Sequence, residues 1–328
     1  MPRVLCTALT TDSGPHFQIF QNSGWSCDVV NRSLNLWDAD VLAKAISGYD
    51  AILAGSEPYT PAVLASNPKL RVLSRYGVGF DAINLAECDA RRIVVATTPG
   101  CNHHAVAEHA IAMLMAIGRG FPRCDQEVRR AVWTRVSRPR IMGSTLGLLG
   151  LGRIGQAAAT RGLGLGMTVV AYDPMPPAHF LAQHPVRSVS LEELLNVSDY
   201  VSLHLPVLPS TKHIINAQTI AQMKDGAVLI NTARGPLVDE DALIQALRSG
   251  KLRAAGLDVF ETEPLPATSP FLQMDNVLLS GHVAGLDDES HASTCVMAAE
   301  NILLLHQGNW PAERIQNLKG VTDWTWHQ

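Results

Sequence analysis

The chain has 328 residues, 47% hydrophobic and 17% charged, which is apolar material for more than one core and excludes a disordered scaffold. Its 26 Lys and Arg face 30 Asp and Glu, a net charge of −4, so it lacks the broad positive field of a protein whose primary partner is nucleic acid. Six cysteines, at 6, 27, 88, 101, 124 and 295, form no C-x-x-C pair, which argues against a disulfide framework or zinc ribbon and for the reduced thiols of a cytoplasmic protein.

The chain enters a strand-like run at Arg3-Val4-Leu5-Cys6 with no export signal before it, and no apolar stretch reaches the roughly 18 residues a bilayer crossing needs. No membrane partner is expected. From 3 to about 96, short apolar runs such as 51–54 and 71–74 alternate with helix-like segments such as 38–46, which predicts a small parallel α/β domain of flavodoxin-like type. Thr97-Thr98-Pro99-Gly100 is a breaker cluster. Residues 103–118 then carry a helix pattern apolar on most sides, which predicts burial all round, as in an interdomain or homodimer-interface helix.

A stronger β/α series follows, with strands expected at 145–149, 168–172, 200–204, 227–232, 254–259 and 277–280. It reads as a doubly wound parallel sheet. A last helix is expected from about 287 to 306, and the remaining tail is expected to return to the first domain, with Trp324 and Trp326 as packing or subunit contacts. The predicted organisation is a discontinuous substrate domain, 1–98 plus 287–328, and a continuous nucleotide domain, 99–286, with a small-ligand cleft between them.

The segment Gly150-Leu151-Gly152-Arg153-Ile154-Gly155 ends an apolar strand and opens an Ala-rich helix, the context a dinucleotide fingerprint of the Rossmann type requires. Gly150 permits the tight turn, Gly152 lets the backbone approach a pyrophosphate, and Gly155 lets helix pack on strand. Asp173 follows 18 residues after Gly155, at the end of the next apolar run. A carboxylate there accepts hydrogen bonds from the adenosine ribose and repels a 2′-phosphate, and Pro174-Met175-Pro176-Pro177 offers no cation to relieve that repulsion, so NAD is favoured over NADP.

Three later segments each place a polar group just past an apolar strand, the edge where open α/β sheets bind ligands. Arg234 follows Ile230-Asn231-Thr232-Ala233, and its planar fork suits a carboxylate. Glu263 follows Leu257-Asp258-Val259-Phe260, and His282 follows Leu278-Leu279-Ser280-Gly281. An imidazole exchanges protons near neutrality, and a carboxylate beside it orients the ring. No metal is called for, and the adjacent His103 and His104 diverge by about 100° on a helix rather than sharing a face.

In chain order, Arg234, Glu263 and His282 on the sheet that carries the fingerprint resemble the Arg/Glu/His set of the D-isomer-specific 2-hydroxyacid dehydrogenase family. The resemblance extends to Ser74-Arg75-Tyr76-Gly77-Val78-Gly79-Phe80-Asp81, Val106-Ala107-Glu108-His109 and Leu203-His204-Leu205-Pro206. It implies hydride transfer between C2 of a small 2-hydroxy acid and NAD, with His282 handling the hydroxyl proton, Arg234 holding the carboxylate and Glu263 paired with His282. It also implies a second carboxylate clamp in the N–H groups of Val78 and Gly79, a nicotinamide contact at Asp258, and cofactor lining by Leu205, Ala233, Arg153 and Ile154. The Glu263 carboxylate stands where formate dehydrogenases of this fold carry an amide.

The likeness is strongest to the phosphoglycerate dehydrogenase branch without a regulatory domain. Arg75 matches a basic position near the substrate phosphate, but Gly55 stands where those enzymes commonly offer a further Arg, and Glu57 brings an opposing charge. Phosphoglycerate, glycerate/hydroxypyruvate and glyoxylate types all remain open as substrates. The alternatives are an NAD-sensing co-repressor-like interaction protein and a phosphite dehydrogenase on the same frame.

Overall fold

Strands covered on both faces read as continuous apolar runs, and here such runs form two sheets whose paired strands are all parallel. The computed structural model describes residues 2–8 and 13–327. The chain divides into two compact units, Met1–Asn102 with Asp287–Gln328, and His103–Leu286. The division falls at the first residue of the long helix His103–Arg119, whereas the breaker pattern predicts it at 98/99.

In the first unit, β1 (Arg3–Cys6), β2 (Ser26–Val29), β3 (Ala51–Ala54), β4 (Val72–Arg75) and β5 (Val94–Ala96) pair in the order β2-β1-β3-β4-β5, that of flavodoxin-like folds. Alternation divides their side chains between two cores. Val4, Leu53, Val72 and Val94 pack with Ala298, Ile302 and Leu305 of the helix Asp288–His306. Leu5, Ile52, Leu73 and Val95 pack with Leu42 and Ile46 of the helix Ala39–Ile46. That helix starts where the Asp38 side chain accepts the N–H groups of Asp40 and Val41. The tail is tied to β5, because the Asn317 side chain accepts from Val95 N and donates to Ile93 O, each at 2.8 Å. Trp326 is buried in the same core, and Trp324 Nε1 donates to Arg92 O.

The second unit adds β6 (Thr145–Leu149), β7 (Thr168–Tyr172), β8 (Val186–Ser188), β9 (Tyr200–Leu203), β10 (Ala227–Asn231), β11 (Leu252–Leu257) and β12 (Val277–Leu279). They pair as β12-β11-β10-β9-β6-β7-β8, the Rossmann order extended by one strand. The sequence pattern misses β8 because it has only three residues, of which Val186 alone is buried. Leu148, Val169, Ala171, Val228 and Ile230 face one core and Leu149, Val170, Val201, Leu229 and Leu257 the other, which is the doubly wound arrangement.

The helix His103–Arg119 buries Ala107, Ala110, Met113 and Leu114 against the first of these cores. Ile111, Met115 and Ile117 are half-buried at the edge of that core, and Glu108 and Ala112 are exposed in the single chain. The all-round burial that its apolar pattern predicts is therefore incomplete. No helix among the described residues is long and apolar enough to cross a membrane.

Candidate active site

In a parallel sheet every strand ends on the same edge, so whatever follows β6, β7, β9, β10, β11 and β12 gathers along one rim. At its centre β6 runs into the Gly150–Gly152 turn and the helix Arg153–Gly164. Gly150 has φ +99°, and a Cβ on it would come within 2.6 Å of His204 O. A Cβ at Gly155 would lie 2.1 Å from Gly150 O, so helix and turn are in backbone contact. Gly152 differs: a Cβ there would meet no atom within 4 Å. The space in front of it is open, and no side chain caps the helix behind it, so the first-turn N–H groups are left for an anion. That is the cradle a pyrophosphate fills, and the residues fit the dinucleotide.

Asp173 closes the turn by accepting Leu151 N through Oδ2 at 2.7 Å, and its Oδ1 accepts Met175 N. Arg153 is exposed and Ile154 half-buried at the helix start. Leu205 is buried under Gly150, 3.1 Å from the position of a Cβ there. His204 is half-buried with its ring desolvated, which pushes it down to about 4, and its Nε2 lies 3.0 Å from Ser202 Oγ; it is a neutral structural histidine at pH 7.

The polar constellation lies at the ends of three adjacent strands. After β10, the buried Asn231 accepts from Ala233 N at 3.0 Å and donates to Arg234 O at 2.9 Å, bending the chain so that Arg234 leaves the sheet half-buried. Nothing in the local sequence pattern marks Asn231 for this task. After β11, Glu263 folds back, and its Oε1 accepts from Phe260 N at 3.0 Å. After β12, His282 places Nδ1 2.7 Å from Glu263 Oε2. Burial alone would raise the Glu263 carboxyl, but the His282 hydrogen bond and charge, the Phe260 N–H and Arg234 outweigh it and hold the carboxyl below its ordinary value.

Asp258 is 0% exposed. Its Oδ1 accepts Ser280 Oγ at 2.5 Å and Val283 N at 3.0 Å, and its Oδ2 accepts Ala284 N at 2.9 Å. The position identified by resemblance as a nicotinamide contact is thus engaged with its own chain, with one lone pair left on Oδ2. Arg75, Val78 and Gly79 belong to the first unit. Arg75 donates to the carbonyls of Ala54 and Tyr76, and Val78 is exposed.

A chain so built is similar to known enzymes. The family model described as D-isomer specific 2-hydroxyacid dehydrogenase, NAD binding domain, matches residues 111–284. A glyoxylate reductase of Korarchaeum cryptofilum is 38% identical over 291 residues, covering 85% of this chain and 88% of that one. A D-3-phosphoglycerate dehydrogenase of Mycobacterium bovis is also 38% identical, over 87% of this chain but only 54% of its own length. Among solved structures, the D-lactate dehydrogenase of Aquifex aeolicus complexed with NAD and lactic acid superposes with a TM-score of 0.83 at 30% identity, covering 95% of this chain and 98% of that one.

Proposed function

Because the chain belongs to the D-isomer-specific 2-hydroxyacid dehydrogenase family, with NAD as its cofactor, we propose that its substrate is a short, unphosphorylated D-2-hydroxy acid or the matching keto acid, of the glycerate/hydroxypyruvate or glyoxylate type. The observation that carries the chemistry is the His282–Glu263 pair. Turning Nδ1–H to the carboxylate fixes the tautomer and leaves Nε2 for the substrate. Nε2 takes the hydroxyl proton in oxidation and returns it in reduction, while Glu263 compensates the imidazolium. Arg234 holds the carboxylate and polarises the carbonyl with its fork. Bound NAD supplies or accepts the hydride. Val78 and Gly79 as a second clamp, Asp258, Leu205, Ala233, Arg153 and Ile154 as cofactor contacts, and Arg75 as a substrate contact are assigned on motif position.

The unphosphorylated class is favoured by Gly55 and Glu57. A Cβ at Gly55 would lie 2.7 Å from Glu57 Oε2, so a side chain at 55 would have to displace the Glu57 carboxylate, which is only 2% exposed. An arginine at 55, such as a phosphate site would use, would compete for the space that the Glu57 carboxylate now fills. A cytoplasmic, homodimeric protein without nucleic-acid partners fits the charge balance and the exposed positions of the helix His103–Arg119.

The test is a panel of keto acids, 3-phosphohydroxypyruvate and phosphite among the candidates, followed by NADH absorbance. Turnover of hydroxypyruvate or glyoxylate above that of 3-phosphohydroxypyruvate is expected. Preference for the phosphorylated acid overturns the substrate class, activity on phosphite alone supports the phosphite alternative, and NADH binding without turnover of any compound supports the sensor.

A further inference from the structure

The Val106–His109 run is left without a task by the hydride chemistry, yet its last residue reaches the rim of the sheet. His109, on the helix His103–Arg119, has Nε2 2.9 Å from Ser280 Oγ and 3.7 Å from Asp258 Oδ1. Ser280 Oγ lies 2.5 Å from the same Asp258 oxygen. A carboxylate oxygen only accepts, so the serine proton is spent on Asp258 and the hydrogen between His109 and Ser280 belongs to Nε2. The relay therefore has one direction: His109 Nε2–H donates to Ser280, and Ser280 donates to Asp258.

Asp258 in turn carries the peptide that ends in the proton-transfer histidine. Besides Ser280 it accepts Val283 N and Ala284 N through its side chain, and its backbone carbonyl accepts His282 N at 2.7 Å. Residues 280–284 hang on this one buried group. In their midst His282 has φ +56°, a left-handed conformation that costs any residue with a Cβ. A turn strained at its centre persists only where its surroundings over-determine it. Without the Nε2–H donor the Ser280 oxygen loses the partner that fixes its position, and the shortest of the bonds that set the turn, Ser280 to Asp258, is loosened.

We propose that His109 is a positioning residue: through Ser280 and Asp258 it holds the 280–284 turn in the conformation that keeps the His282 ring against Glu263. The proposal rests on the acid–base reading of His282, so its test has a readout that needs no turnover.

His109→Phe fills the space without the donor, and His109→Gln restores an N–H near the Nε2 position. The Phe variant is expected to lower kcat between about tenfold and a hundredfold, as misplacement of a reacting group does, with KM and NADH affinity little changed. The Gln variant recovers most of the loss. In protein labelled with 15N-histidine, the His282 Nδ1–H resonance, assigned by its absence in His282→Asn, is expected to broaden away in the Phe variant and persist in the Gln variant. Should the Phe variant not fold, Ser280→Ala against Ser280→Thr gives the same comparison.

Wild-type kcat and an intact resonance in the Phe variant overturn the proposal, as does a Gln variant that falls as far as Phe. If the wild-type protein turns over no acid at all, the acid–base reading fails and the resonance alone decides the positioning role.

Discussion

His282 Nδ1 lies 2.7 Å from Glu263 Oε2, although nineteen residues and an intervening strand separate them. One ring nitrogen is thereby committed, and only Nε2 can exchange a proton with substrate. His282→Ala removes that nitrogen and is expected to lower turnover by about 10² to 10⁴, the span of general acid–base catalysis, while NADH affinity stays near wild type. Steady-state rates and fluorescence titration of NADH check it. A rate within a few-fold of wild type removes His282 from the chemistry.

Arg234→Lys keeps the charge and loses the fork. The Asn231 turn presents a guanidinium whose Nη1 already donates to Ala233 O at 2.6 Å, and an ammonium cannot make that bond and a two-pronged grip on a carboxylate together. The expected outcome is loss of most activity, with kcat/KM down on the order of a hundredfold, about 2 to 3 kcal/mol of transition-state stabilisation. A near-normal kcat/KM would show that Arg234 does not hold the substrate.

The parts of this site that are legible in sequence are those set by local pattern. The fingerprint from Gly150 to Gly155 shows because glycine spacing and an apolar strand lie side by side, and Arg234, Glu263 and His282 show because each follows such a strand. What escapes is set by side chains meeting across the fold. His109 reaches Ser280 over 171 residues, and nothing near either one signals the other. The task of Asn231 is a turn made by its own amide, and β8 has too few buried residues to show a period. The seven arginines of 119–140 form no continuous run, so local pattern does not single them out.

Asp173 serves two purposes, so its removal has two expected effects. Asp173→Ala withdraws the negative charge that disfavours a 2′-phosphate, and the NAD/NADP preference in kcat/KM should relax by about tenfold or more. It also frees Leu151 N, whose 2.7 Å bond to Asp173 shapes the glycine turn, so NAD affinity itself should weaken. Kinetics with both cofactors separate the two effects. An unchanged preference would move ribose recognition to another residue.

Apolar side chains left at the surface cluster on one stretch of the second unit. Phe121 and Val128 are 63% and 56% exposed, and Trp133 is 80% exposed. A second copy of the chain would cover such a patch. Light scattering is expected to give about twice the 35.4 kDa chain mass, and Trp133→Ala to weaken the dimer by about 2 kcal/mol or more, as loss of a buried aromatic anchor does. A monomer at micromolar concentration in the wild-type protein would remove the dimer.

Glu57 supplies a test by pH. It is buried with Oε2 lacking a hydrogen-bond partner among the described residues, and burial pushes its carboxyl above the ordinary value, with Thr7 and Arg75 offsetting only part. A carboxyl raised in the fold carries no penalty while it is protonated in both states, below the ordinary glutamate value of about 4.3. As pH climbs from there through the raised value, the unfolded chain ionises first and stability is lost. Glu57→Gln removes that titration while keeping the size of the side chain. Its melting temperature should therefore match or fall below wild type at acid pH and exceed it at neutral pH, by on the order of 3 °C. Thermal melts of both proteins across the carboxylate range check it, and a difference that does not change with pH would mean that burial does not raise the Glu57 carboxyl.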